Sequence, residues 1–178
     1  MNPESKQIIF LCGMMGSGKS VLGKHLAKKL NFPFTDLDSQ IESDTGMTIN
    51  QIFEKVGESG FREIEKKTLL QSIHRSAGVL ALGGGTLQNQ ELVDLVKNSG
   101  ILIFIDTPEE ILLNRLRRSS RRPMIHGLNI DELRQLIRKL SEERKPFYTQ
   151  ADVIISGDAM NKDSTTDLII NELKQSNA

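Results

Sequence analysis

Cysteine is almost absent: Cys12 is the only one in 178 residues. An intrachain disulfide and a cysteine-based zinc cage are therefore both excluded. A surplus of either charge is also missing, since 23 Lys plus Arg offset 23 Asp plus Glu. That balance speaks against a dedicated nucleic-acid binder, whose footprint is normally basic. Long apolar runs are lacking too. The longest, Ile8 to Cys12 and Ile101 to Ile105, fall far short of the roughly 20 residues that span a bilayer. Met1 to Gln7 is polar and has no signal-type apolar core. A soluble cytoplasmic chain with neither nucleic-acid nor membrane partners is the expectation.

No repeat, low-complexity stretch or linker divides the chain, so residues 1–178 read as one domain. A folded chain of this length buries about 70% of the surface its unfolded form exposes. Its core needs no staple.

Short apolar runs alternate with longer amphipathic stretches. Ile8 to Cys12 predicts a buried strand ending at Gly13, and Leu22, Leu26 and Leu30 predict a helix. Phe32 to Leu37 reads as a second strand. Ile52, Phe53 and Val56 read as a short helix ending near Gly57, and Phe61, Ile64, Leu69 and Ile73 as the next helix. Val79 to Leu82, Ile101 to Ile105 and Val153 to Ile155 read as further strands, and Ile130, Leu133, Ile137 and Leu140 as one helical face. Strands separated by helix-length segments imply an α/β fold, a parallel sheet with helices on both faces. Ligands in such folds bind outside the carboxyl ends of the strands.

Gly13-Met14-Met15-Gly16-Ser17-Gly18-Lys19-Ser20 fits GxxxxGK[ST] directly after the first strand and at the start of a helix. Glycines let successive N–H groups turn toward phosphate oxygens, and the helix adds the positive end of its dipole. Lys19 is expected to reach the β- and γ-phosphates and Ser20 to ligate Mg²⁺. At ordinary residue frequencies the string arises by chance in about one chain of this length in 100 to 200. The strand after which many NTPases place a metal-binding carboxylate, Val79 to Gly83, offers none. Asp36 is the candidate instead. No NKxD tetrapeptide is present, which argues against a guanine-nucleotide switch.

Asp36 and Asp38 end the second predicted strand, where alternation puts both carboxylates on one side. One can hold a metal-bound water while the other accepts a bond from a substrate hydroxyl; the plainer reading is a pair of turn or N-cap aspartates. Arg62 with Glu65 reads as an exposed i,i+3 pair unless it grips an anion. Gly83-Gly84-Gly85 implies close approach of a ligand or another segment. Arg144, placed at a helix end before Pro146, is at its plainest a cation at a helix C-terminus. Arg115, Arg117, Arg118, Arg121 and Arg122 crowd one stretch. They fit either a lid closing over a polyphosphate or a solvated loop.

The phosphate loop, Asp36-Leu37-Asp38, the stretch Gly57 to Glu65, Leu82 to Thr86, Arg121 to Pro123 and Glu143 to Tyr148 together resemble the shikimate kinase family, from about Ile8 to Ile155. The resemblance implies a P-loop NTPase of the nucleoside-monophosphate-kinase-like, three-layer kind. It has a five-stranded parallel sheet, a helical substrate-binding region (about 36–75) and a lid (about 115–128). It implies transfer of the γ-phosphoryl of ATP to the 3-hydroxyl of shikimate, on the route to chorismate and aromatic amino acids. By motif, Gly16, Ser17, Gly18, Lys19, Ser20 and Val21 would hold the ATP phosphates. Ser20 would bind Mg²⁺ and Asp36 would act through metal-bound water. Asp38 would contact the shikimate hydroxyls as candidate base, Arg62 and Arg144 would grip the carboxylate, and Gly83, Gly84 and Gly85 would line the ring. Arg122 resembles the lid arginine that reaches the phosphates, and Arg115 the one that stacks on adenine. Val21, in place of a frequent Thr, and Met124-Ile125, in place of leucines, are the departures, and neither touches a charged role.

Forked arginine donors suit a planar carboxylate. Cys12 reads as a buried core residue, His25 and His74 as boundary or solvent-facing, and Tyr148 as packing. His126 follows the lid and is assigned no catalysis. Phe53 and Phe61 read as core, although the resemblance puts them beside the substrate ring. Another small-molecule P-loop kinase, acting on gluconate or a nucleoside monophosphate, and a nucleotide-binding module without catalysis are the competing readings. Monomer is the default expectation.

Overall fold

The computed structural model describes residues 8–74, 77–118, 125, 127–157 and 162–175. The elements run β1 (Ile8–Cys12), α1 (Lys19–Leu30), β2 (Phe34–Asp36), α2 (Leu37–Thr45), α3 (Ile49–Ile73), β3 (Gly78–Ala81) and α4 (Gln90–Ser99). They continue through β4 (Gly100–Asp106), α5 (Glu109–Leu116), α6 (Ile130–Tyr148), β5 (Val153–Ser156) and α7 (Lys162–Gln175). The five strands form one parallel sheet in the order β2-β3-β1-β4-β5.

Alternation along the strands explains the two cores. Phe10, Cys12, Leu80, Leu102 and Phe104 face one side and pack with Leu37, Ile52, Phe61, Val93, Leu112 and Ile137. Ile9, Leu11, Val79, Ile103 and Ile105 face the other, against Leu22 and Leu26 of α1 and Ile169 and Leu173 of α7. Covering both faces is what makes the strands read as continuous apolar runs rather than alternating ones. The three layers match the expected architecture.

Besides shifts of one residue at strand ends, four features differ from the sequence reading. The second strand is only Phe34–Asp36, because Leu37 already begins α2 and Asp36 caps it through Ser39 N–H at 3.2 Å. The aspartates thus share no strand face. The break near Gly57 is a kink inside α3, where that residue takes φ 70° and ψ −176°. Helix α6 does not stop before Pro146 but continues to Tyr148. Pro146 and Glu142, whose carbonyl loses a helical donor, are both exposed, so water can take the missing bond. Ile130 heads α6 half-exposed rather than joining its buried face. Asn129 sets the start of this helix through a capping box with Glu132.

Candidate active site

The loop between β1 and α1 turns tightly because Gly16 and Gly18 adopt positive φ, 80° and 97°. Gly18 is the N-cap of α1 and supplies no side-chain cap, so the first-turn donors have no capping oxygen of their own helix. Lys19 is buried, and its Nζ donates to the carbonyls of Gly13 (2.8 Å) and Met14 (2.9 Å). Ser17 is fully buried, and Thr107 donates to its carbonyl at 3.3 Å. Arg115, from α5, donates through Nη1 to the Gly16 carbonyl at 2.8 Å. Val21 is exposed on the first turn.

Ser20 Oγ donates to Asp36 Oδ2. Asp36 therefore has both of the roles open to it: it caps α2 and meets the hydroxyl of the phosphate loop. A hydroxyl and a carboxylate oxygen side by side form a hard donor set suited to Mg²⁺, which binds through few protein ligands and keeps phosphate and water for the rest. Among the described residues no group of three or more His, Cys, Asp or Glu forms a metal cage.

The glycine run after β3 is the floor of a second cup. A Cβ on Gly83 would lie 2.8 Å from Asp38 Oδ1, 2.9 Å from Glu65 Oε1 and 3.0 Å from Thr86 Oγ1. One on Gly85 would lie 2.7 Å from Arg62 Nη2, and one on Gly84 3.5 Å from Arg144 Nη1. The expected close approach is thus made by charged side chains from α2, α3 and α6. Gly83→Ala should cost about 1–3 kcal/mol of stability in urea denaturation, as buried overpacking does. An unchanged midpoint would mean that Asp38 and Glu65 can move apart freely.

Arg62 is not the plain exposed helix pair. Glu65 is 3% exposed, accepts from Arg62 Nη1 at 2.7 Å and accepts from Thr86 Oγ1 at 2.6 Å. Arg62 Nη2 reaches the exposed Glu58 at 3.4 Å, and its buried Nε has no hydrogen-bond partner. An orphaned guanidinium donor beside a glycine floor fits an anion with forked oxygens. Arg144 stands on the other side, its Nη1 4.0 Å from Met14 Sδ. Phe53 and Phe61 stack with centroids 4.5 Å apart, and the Arg62 guanidinium lies 5.3 Å from the Phe61 centroid.

The structure therefore brings Lys19, Ser20, Asp36, Asp38, Arg62, Arg144 and the three glycines to the carboxyl end of the sheet, where the loops after β1 and β3 lie. Arg122, with Arg121 and His126, lies outside the described residues. Sequence reasoning undervalued Glu65 and Thr86, although the i+3 spacing to Arg62 and the position after the glycine run were visible signals. Cys12 is buried, and that burial pushes its thiol up to about 12 against the opposing pull of Lys19. It is no nucleophile. His25 pairs with Asp163 at 2.9 Å and His74 ends α3, both away from this cup.

A family model described as shikimate kinase matches residues 15–174. A shikimate kinase of Chlorobaculum parvum is 38% identical over 173 residues, covering 94% of this chain and 92% of that protein. The crystal structure of a shikimate kinase from Bacteroides thetaiotaomicron superposes with TM-score 0.90 at 35% identity, covering 94% of this chain and 98% of the other. The solved structure of a shikimate kinase from Acinetobacter baumannii in complex with shikimate gives TM-score 0.89 at 37% identity, covering 98% of this chain and 96% of the other.

Proposed function

Because this chain belongs to the shikimate kinase family, we propose that its cleft transfers the γ-phosphoryl of ATP to the 3-hydroxyl of shikimate, releasing ADP and shikimate 3-phosphate. The observation that carries the assignment to this cleft is the approach of Arg62 and Arg144, from different helices, to one glycine run that also faces Asp38. A small acid with several hydroxyls needs that combination: forked cations for its carboxylate and an acceptor for its hydroxyls.

The triphosphate lies along Gly16 to Val21, with its anionic oxygens on the loop N–H groups and the start of α1. Arg115 lies beside the adenine while bracing the loop through the Gly16 carbonyl. Ser20 and Asp36 would hold Mg²⁺, Asp36 by way of water as the family resemblance implies. When bound, the ion offsets charge on the phosphate oxygens. Lys19 exchanges its carbonyl partners for the terminal phosphates, and the resemblance of its motif assigns Arg122 to the same group. Asp38 orients the 3-hydroxyl and takes its proton as the new O–P bond forms and the bond to the β-phosphate oxygen breaks. Since the transition state of phosphoryl transfer is loose, alignment and charge supply most of the acceleration. The lid that the resemblance implies would exclude water on closing and suppress hydrolysis of ATP. The reading is of a monomer working in the cytoplasm.

An ADP-release assay with shikimate, gluconate, AMP and no acceptor tests the assignment. Turnover with shikimate alone supports it. Tight ATP binding without turnover on any acceptor would instead make the chain a nucleotide-binding module. Within this reading, Arg62→Ala should raise the KM for shikimate about 10–100-fold, the value of a charged hydrogen bond, with the KM for ATP within about twofold of the parent. Equal loss for both substrates would point to misfolding around the unpaired Glu65.

A further inference from the structure

Tyr148 is the only tyrosine, and the chain has no tryptophan. Its ring is buried against Phe104, with centroids 5.1 Å apart. Its hydroxyl donates to the Gly84 carbonyl and lies 3.4 Å from the Gly13 carbonyl. Those carbonyls belong to different loops, the phosphate loop after β1 and the glycine floor after β3. The loops also touch directly, since a Cβ on Gly84 would sit 3.1 Å from the Met15 nitrogen. Arg144 lies one helical turn earlier on the same face of α6. Burial raises the phenol above its ordinary range, with Arg144 opposing, so the group stays a protonated donor at neutral pH.

Packing alone needs the ring and not the hydroxyl. We propose that Tyr148 is a positioning residue whose hydroxyl ties the phosphate loop to the acceptor floor, so that both substrates are held in line for transfer. The inference rests on the two-substrate reading above. Lys19 also uses the Gly13 carbonyl; when its ammonium turns to phosphate, the single phenolic proton, given to Gly84 and shared with Gly13 at 3.4 Å, is the side-chain donor left beside that carbonyl. The tie therefore matters most with nucleotide bound.

Tyr148→Phe keeps the ring and deletes the tie. Its kcat should fall roughly tenfold or more, because small misalignments of reacting groups cost rate steeply, while the Kd values for ADP and for shikimate each stay within about twofold. Phe104→Leu, which weakens the ring contact but leaves the hydroxyl, should lower Tm without that kcat loss. Uniform 3-fluorotyrosine labelling of the parent places one fluorine in the protein, at Tyr148, and its resonance should shift with ADP alone and with shikimate alone. Three results would overturn the tie: Tyr148→Phe turning over within twofold of the parent, Phe104→Leu losing kcat equally, or a fluorine signal silent to either ligand. A parent protein that binds both ligands but transfers no phosphate to shikimate would overturn the functional reading instead, and the fluorine response would still judge the tie.

Discussion

Lys19→Ala is expected to lower kcat by about 10²–10³-fold, the range for removing one preorganised charge-stabilising donor, with the Kd for shikimate changed by less than about twofold. The side chain is buried, and its ammonium rests on two loop carbonyls. Neutral carbonyls are weaker partners for a cation than phosphate oxygens, so arriving nucleotide draws the group away from them. The gain is largest as charge shifts during transfer, which places the loss in kcat more than in ground-state binding. Lys19→Met, which keeps the stem, separates charge from packing and should be equally impaired. Single-turnover phosphorylation with calorimetric titration of shikimate provides the check. Unaltered turnover would remove Lys19 from the mechanism.

Asp38→Asn is expected to abolish most phosphorylation, by about 10²–10⁴-fold, the usual worth of a positioned general base, while ATP binding stays close to normal. The substitution is nearly isosteric, and Asp38 Oδ1 lies so near Gly83 that a Cβ there would stand 2.8 Å from it, which makes shape the first thing to preserve. An amide still accepts a bond but cannot take the hydroxyl proton. Burst and steady-state rates with shikimate, beside titration of a non-hydrolysable ATP analogue, distinguish the cases. Retained activity would make Asp38 a purely positioning group, which a loose transition state allows.

The local signals read well from sequence because they are local. The phosphate loop needs glycines, a lysine and a serine at fixed spacing, and the flanking strand and helix have their own apolar periods. The strand at Val79 differs by one residue at each end, since β3 is Gly78–Ala81. Where the reading slipped, a neighbouring interaction prevailed over a local preference. Asp36 capping α2 cut the second strand short. Exposure around Pro146 let α6 run on to Tyr148. For Glu65, helix spacing alone does not say which face is buried. The answer came from Thr86, 21 residues away, donating to its carboxylate.

The fit of its arginines and aspartates to a small hydroxy acid came from the family resemblance; from its residues alone the chain announced a parallel α/β sheet and a triphosphate loop at the head of the first helix. Such features depend on short-range spacing and on apolar period, and both are written along the chain. What spacing could not convey was the meeting of these groups. Arg62 and Arg144 converge on one glycine floor, and the Tyr148 hydroxyl joins carbonyls 64 and 135 positions distant. Such contacts exist only once the sheet order β2-β3-β1-β4-β5 sets the ends of β1 and β3 side by side. Helices packed on both faces bury the strands in that order, a long-range fit that no local preference specifies.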